Sequence, residues 1–222
     1  MNRPPAVAAF DLDGTLTAGG SVFRWLRFLA GDRAAYAAAL RLAAPLLVGA
    51  LRSGRSADRA KERLFRALLA GRDLDAVAAA SRTFGLRHLA MHPRAQVVAR
   101  LAWHRERGDE IVVVSASPQL YVSVVAEQLG AAGAIGTRLA LDGDGRLTGG
   151  YEGFNCRGEE KLRRVREWID ARGDAAAREL FAYGNSRGDR RLLAGATHPY
   201  DVGRLGRLGA LRAYPRPRAG AD

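Results

Sequence analysis

Three short stretches of the chain are apolar at consecutive positions rather than alternate ones. They are Ala6 to Phe10, which Asp11 and Asp13 follow at once, Ile111-Val112-Val113-Val114 within the expected strand Glu110 to Val114, and Leu180 to Tyr183. Runs of this length suit strands buried on both faces. Each run ends in polar or turn-forming residues: Asp11, Asp13 and Gly14 after the first, Ser115 after the second, Gly184-Asn185-Ser186 after the third. From about Val22 to His88 the pattern changes, with apolar residues such as Phe23, Leu26 and Ala30 at helical spacing. Gly31-Asp32, Ser53-Gly54 and Gly71-Arg72-Asp73 punctuate this region, which predicts about four helices.

Further helices are predicted over Ala95 to Arg107, Pro118 to Leu129 and Glu159 to Ala171, closed by Gly108, Gly130 and Gly173, with a short one at Asp189 to Ala194. The segments Ile135 to Leu141 and Arg146 to Tyr151 flank Asp142-Gly143-Asp144-Gly145 and read as a hairpin. Short strands are expected near Tyr200 to Val202 and Ala210 to Ala213, and Pro215 to Asp222 reads as a flexible tail. Strands alternating with helices imply an α/β fold, a Rossmann-like three-layer α/β/α core with a parallel sheet. The division expected is a core of residues 1–20 and 90–214, a small helical cap of 21–89 inserted after the first strand, and the tail 215–222. Ligands of such sheets bind at the carboxyl ends of the strands, where the polar residues above fall, so they are expected to form one composite site.

Composition narrows the class. Hydrophobic residues make up 48% of the 222, enough for a real core. One cysteine, Cys156, excludes an internal disulfide framework and most zinc-site patterns; it reads as a small half-buried residue. The four histidines are scattered, and the tryptophans Trp25, Trp103 and Trp168 lie in helical segments as packing residues. No secretory signal is read at the N-terminus, and Ala34 to Leu51 is too interrupted by Arg41 and Pro45 for a membrane span. The expected location is the cytoplasm, with peripheral contact to the inner face of an anionic membrane as a secondary expectation. The formal charge of +12 is almost all arginine, on solvated helix faces. No nucleic-acid motif occurs, so no specific nucleic-acid partner is expected; a monomer or homodimer is.

The chemistry begins at Asp11-Leu12-Asp13-Gly14-Thr15-Leu16-Thr17. Alternation along a strand gives Asp11 and Asp13 the same orientation, about 6.5 Å apart. Carboxylates so close repel unless a cation or proton intervenes. Gly14 lets the chain turn and is expected to bring backbone N–H groups near an anion. This segment resembles the first motif of the haloacid dehalogenase-like superfamily, Asp-x-Asp-x-Thr at the end of the first strand. Ser115 in Val112-Val113-Val114-Ser115-Ala116-Ser117-Pro118 is similar to the second motif, with Ser117 read as a helix N-cap. Lys161, after Asn155-Cys156-Arg157-Gly158-Glu159-Glu160, is similar to the third, in the form of the phosphoserine-phosphatase-like branch. Gly184-Asn185-Ser186-Arg187-Gly188-Asp189 follows the fourth, except that Asn185 stands where the family has an aspartate.

The resemblance implies a Mg²⁺-dependent phosphatase that hydrolyses phosphomonoesters through an aspartyl-phosphate. Asp11 is then the nucleophile, Asp13 the general acid and base, and Lys161 the cation that offsets repulsion between nucleophile and phosphate. Gly14, Thr15, Ser115, Ala116 and Lys161 are implied at the phosphoryl group. Asp11, Asp13 through its carbonyl, Asn185 and Asp189 are implied around Mg²⁺. The stretch Ala18-Gly19-Gly20-Ser21 lacks the carboxylate that phosphoserine phosphatases use for the substrate amine, so a different phosphorylated small molecule, or a lipid head group of the phosphatidylglycerophosphate kind, is expected. Two other readings stay open: a catalytically weakened ligand-binding or scaffolding protein of the same fold, and a phosphotransferase.

Overall fold

The computed structural model describes residues 6–44, 47, 55–173 and 178–203. Its strands are β1 (Val7–Phe10), β2 (Glu110–Pro118), β3 (Gly133–Thr137), β4 (Leu139–Leu141), β5 (Leu147–Tyr151), β6 (Leu180–Gly184) and β7 (His198–Asp201). Its helices are α1 (Val22–Ala30), α2 (Asp32–Arg41), α3 (Arg55–Leu69), α4 (Leu74–Met91), α5 (Ala95–Glu106), α6 (Gln119–Gln128), α7 (Glu159–Asp170) and α8 (Arg190–Ala194). Five strands form a parallel sheet in the order β3-β2-β1-β6-β7, and β4 and β5 form an antiparallel pair.

The consecutive apolar runs are explained by the pleat. Successive side chains leave opposite faces of a strand. Ala8, Phe10, Ile111, Val113, Phe181 and Tyr183 enter one core, and Val7, Ala9, Val112, Val114, Leu180 and Ala182 enter the other. The first core is covered by α5, α6 and the helices that precede them, the second by α7 and α8. This is the three-layer α/β/α arrangement expected, with its helical segment inserted after the first strand. Register aligns the strand ends: Phe10 pairs with Val113 on one side and Tyr183 on the other. The segments that follow these three residues therefore emerge at one edge of the sheet.

Among the described residues, the inserted helices share the first core rather than forming one of their own. Trp25, Leu26, Phe65 and Phe84 belong to the same cluster as Phe10 and Tyr121. Burying a side chain the size of Phe65 contributes roughly 1.5–3 kcal/mol. The Trp25 ring lies 5.8 Å from Phe65 and 5.6 Å from Tyr121, and its Nε1 donates to Ser81 Oγ at 2.9 Å, so the buried N–H is satisfied. Asp73 caps α4 by accepting from the Ala76 amide at 2.9 Å. Gly85 lets α4 approach α6, because a Cβ there would lie 3.3 Å from the Tyr121 carbonyl.

Several boundaries differ from the expected ones. The run Ile135 to Leu141 is not one hairpin arm: β3 completes the edge of the main sheet beside β2, and only β4, beyond the exposed Arg138, pairs with β5. The open edge of β2 captured the first half of the run, a long-range pairing that local turn chemistry does not register. β2 itself continues through Ser115 to Pro118, with a register irregularity between Val114 and Pro118. Such an irregularity re-aims side chains where the strand meets the site. The strand expected near Tyr200 is β7, parallel to β6; the strand expected at Ala210 to Ala213 and the tail lie outside the described residues. Cys156 is fully buried rather than half-buried, and burial pushes its thiol up to about 11, so it stays protonated and inert.

A polar chain runs through the first core. His104 Nδ1 is 2.7 Å from Asp109 Oδ2, its Nε2 is 2.8 Å from the Tyr183 hydroxyl, and Arg100 Nε donates to that hydroxyl at 3.0 Å. Burial pushes His104 down to about 4, against the pull of Asp109. An unfolded imidazole protonates near pH 6.5, so between those values the unfolded chain binds the extra proton. The stabilisation from neutral His104 is thus complete above about pH 6.5 and is lost as pH falls towards 4. The melting temperature is expected to fall across that window, and less steeply in His104→Gln. His88, lowered to about 4 chiefly by burial, retains its own share in that variant. Equal slopes in the two proteins would contradict the assignment.

Candidate active site

The loop after β1 carries the two aspartates. The Asp11 amide donates to the Tyr183 carbonyl at 2.9 Å, which ties the start of the loop to β6. Thr15 Oγ1 donates to Asp11 Oδ2 at 2.9 Å, and Leu12, fully buried, anchors the turn between the two acids. Gly14 has φ 80°, and a Cβ on it would lie 2.0 Å from Asn185 Nδ2, so only glycine admits Asn185 here. One expectation is corrected. The Gly14 amide donates to the Thr17 carbonyl at 2.8 Å and the Thr15 amide to Leu12 at 3.2 Å, so neither is presented to an anion. Gly14 and Thr15 shape the loop and orient Asp11, because the tight turn satisfies its own backbone donors.

Lys161, from the first turn of α7, sits between two carboxylates. Its Nζ donates to Asp11 Oδ1 at 2.7 Å and to Asp189 Oδ1 at 2.5 Å, and all three side chains are buried. Burial alone would lower the Lys161 ammonium, but the two carboxylates outweigh it and raise it. Burial likewise disfavours a charged Asp189, but Lys161 and the Ser186 hydroxyl and amide overcome this and hold it below the usual range. Asp11 goes the other way. Burial, with Asp189 nearby, pushes it up to about 7 against the pull of Lys161. Asp189 Oδ2 is also engaged, by Ser186 Oγ at 2.7 Å and the amides of Ser186 and Asn185 at 3.0 and 3.2 Å. Both oxygens of Asp189, implied in the metal set, are therefore engaged within the protein.

Asp13 faces the opposite wall. Ser21 donates to it twice, from its amide at 2.8 Å and its hydroxyl at 2.9 Å, and Ser117 Oγ donates to Oδ2 at 2.5 Å. Burial raises the Asp13 carboxyl against these hydrogen bonds, which favours its holding a proton. Ser21 also meets the Tyr121 hydroxyl at 2.7 Å. Ser117 is thus an Asp13 partner, and Pro118 takes the N-cap position of α6. Strand alternation, which puts Ser115 and Ser117 on one face, is the signal that could have found it. Ser115, almost fully buried, accepts from the Ser117 amide at 3.1 Å.

Asp11, Asp13, Ser115, Ala116, Lys161 and Asp189 all line one cavity of about 330 Å³. Its far wall comes from α3, through Asp58 and Lys61, and from the loop before α7, through Asn155 and Arg157. Lys61 Nζ donates to the Ala116 carbonyl at 2.8 Å and to Asn155 Oδ1 at 2.6 Å, and Asn155 Nδ2 donates to Asp58 Oδ1 at 2.5 Å. Burial pushes the Lys61 ammonium down to about 8. These wall residues carry no motif, but residue type held a hint: the chain has two lysines, Lys61 and Lys161, and both line this cavity.

The donor set fits a hard divalent cation. The amide atom of Asn185 that faces the site lies 3.2 Å from Asp11 Oδ2 and 3.0 Å from the Asp13 carbonyl. Adjacent oxygens in an octahedral Mg²⁺ shell, with bonds of about 2.1 Å, sit about 3.0 Å apart. The Asp11 carboxylate, the Asp13 carbonyl and the Asn185 amide oxygen are thus spaced as such a shell needs, with a single carboxylate among them.

A parallel sheet covered on both faces, with an aspartate pair, a serine and a lysine converging at its carboxyl edge, defines a class of hydrolase. The family model for haloacid dehalogenase-like hydrolases matches residues 8–194, and the chain belongs to that family. It is 37% identical over 194 residues to Protein CicA of Caulobacter vibrioides, across 87% of this chain and 84% of that protein. A Bordetella pertussis Tohama I protein of unknown function superposes with a TM-score of 0.80 at 28% identity, over 97% of this chain and 99% of that one. A phospho-aspartyl intermediate analogue of phosphoserine phosphatase superposes with a TM-score of 0.61 at 18% identity, over 89% and 86% of the two chains, and shares the fold.

Proposed function

We propose that the protein is a Mg²⁺-dependent phosphomonoester hydrolase that works through an aspartyl-phosphate on Asp11. The observation that carries this reading is the pairing of Asp11, held by Thr15 and Lys161, with a differently partnered Asp13 on one cavity. An Asp11 carboxylate oxygen attacks phosphorus, and the bond from phosphorus to the ester oxygen breaks. Asp13 gives its proton to the departing alkoxide and later takes one from the water that hydrolyses the aspartyl-phosphate. Lys161 neutralises charge between nucleophile and phosphoryl oxygens, and the Ser115 hydroxyl supplies a hydrogen bond to them. Asp11, the Asp13 carbonyl and Asn185 would hold Mg²⁺, which supplies charge stabilisation to the phosphoryl group when bound. Asp189 acts through Lys161.

The segment 21–89 serves as a cap whose α3 supplies the leaving-group wall. Asp58, Lys61, Asn155 and Arg157 make that wall polar and charged, so the alcohol carries hydrogen-bonding or anionic groups. A cavity of about 330 Å³ holds a small molecule or a lipid head group with its acyl chains outside. The stretch Ala18-Gly19-Gly20-Ser21, where phosphoserine phosphatases carry an amine-binding carboxylate, has none, and Ser21 is spent on Asp13, which argues against phosphoserine. No helix among the described residues is long and apolar enough to cross a membrane.

The test is phosphate release from a panel of polar phosphomonoesters, including sugar, polyol and glycerol-linked head-group phosphates. Release that requires Mg²⁺ and stops in chelator is expected for at least one. A panel silent in both Mg²⁺ and Mn²⁺ overturns the proposal.

A further inference from the structure

Asn185 offers one amide atom to the position between the Asp11 and Asp13 oxygens, and either end of the amide can occupy it. That atom lies 3.2 Å from Asp11 Oδ2, 3.2 Å from Thr15 Oγ1 and 3.0 Å from the Asp13 carbonyl. With nitrogen there, the amide donates to the carboxylate and the carbonyl, and all three groups are satisfied. With oxygen there, it accepts from Thr15 Oγ1 but faces two further acceptors, and a cation between them relieves the repulsion. The two ends are nearly equal in size and exchange by a half-turn of the terminal torsion. The opposite end of the amide packs on Gly14, where the absence of a Cβ leaves room for either atom.

We propose that Asn185 is a two-position element: its nitrogen stands in for the cation when none is bound, and its oxygen becomes a ligand when one is. This rests on the reading of the site as a Mg²⁺ site. An aspartate at 185 could not play both parts. It has no hydrogen to donate, so in the absence of metal it would add a second carboxylate against Asp11 and the Asp13 carbonyl. With metal it would add one more negative charge than the amide does, at a site where Lys161 already neutralises Asp189. The asparagine therefore exchanges cation affinity for a metal-free state that is internally bonded.

The experiment compares the full-length wild type with Asn185→Asp and Asn185→Ala. It uses melting temperature in chelator and in Mg²⁺, and direct calorimetric titration with Mg²⁺ alone. In chelator both variants are expected to melt below wild type. In Mg²⁺ the order of wild type and Asn185→Asp is expected to reverse, with Mg²⁺ binding at least about tenfold tighter to the aspartate. Asn185→Ala is expected to bind Mg²⁺ more weakly than wild type. The proposal is overturned if metal-free Asn185→Asp melts at or above wild type, if its Mg²⁺ affinity is unchanged, or if Asn185→Ala binds Mg²⁺ as well as wild type does. These readouts do not use turnover. A chain that shows the expected binding pattern but releases no phosphate from any ester would support Asn185 as the two-position element and remove the hydrolase reading.

Discussion

Asp11→Asn is expected to cut phosphate release by at least about 10³-fold while leaving the protein as stable as wild type, or more so. Removing a nucleophile from a site whose residues act as a unit costs on that scale or beyond. The amide keeps the shape of the carboxyl: its oxygen can still accept from Lys161 Nζ, and its NH2 can donate to Thr15 Oγ1. Stability does not suffer because Asp11 is a strained ion in the fold: burial, with Asp189 beside it, lifts it to about 7. A group held that far above the usual carboxylate range costs folding free energy when ionised near neutrality. An uncharged replacement removes that cost. Initial rates and melting curves on the same preparation check both halves. Residual activity within tenfold of wild type would exclude Asp11 as the nucleophile, and a large loss of stability would show that its charge is needed for the fold.

Lys161→Met is expected to fail on both counts. The ammonium is the shared partner of Asp11 and Asp189, all three are buried, and methionine replaces its stem without its charge. Breaking a buried ion pair from one side leaves uncompensated charge and costs about 3–5 kcal/mol. Here two carboxylates are left facing each other, so one is driven to take up a proton. The folded variant then binds more protons than its unfolded chain, and its stability recovers as pH is lowered, the opposite sense to the His104 effect. Adding Asp189→Asn to Lys161→Met is expected to restore part of the stability and none of the activity. Denaturant midpoints of the single and double variants measure this. A single variant within about 1 kcal/mol of wild type, well below the buried-pair range, would mean the triad contributes little.

Asp11, Asp13, Ser115, Lys161, Asn185 and Asp189 were legible because each follows or precedes a local signal: an apolar run that ends in a polar residue, or a helix start after a turn. What surrounds them was less so. Gly14 and Thr15 sit in the right loop, but their amides close the turn on Thr17 and Leu12. Ser117 reads locally as a cap, and only the approach of β2 to the loop after β1 gives its hydroxyl to Asp13. The split of β3 from β4 went unread because an open sheet edge, not the hairpin turn, selected the partner of Gly133–Thr137.

By itself the sequence determined the alternation of strands and helices, the two-sided burial of β1, β2 and β6, and the acidic pair that β1 delivers to the sheet edge. These follow from side-chain periodicity and from steric rules that act over a few residues. The tertiary structure alone decided which wall each carboxylate faces, that Ser21 and Ser117 meet at Asp13, that Lys61 reaches Ala116 and Asn155, and that one end of the Asn185 amide lies between Asp11 and the Asp13 carbonyl. Those contacts join residues far apart in the chain. Hydrogen bonds and ion pairs form only where packing brings their partners within about 3 Å, and no spacing rule along one element encodes that distance.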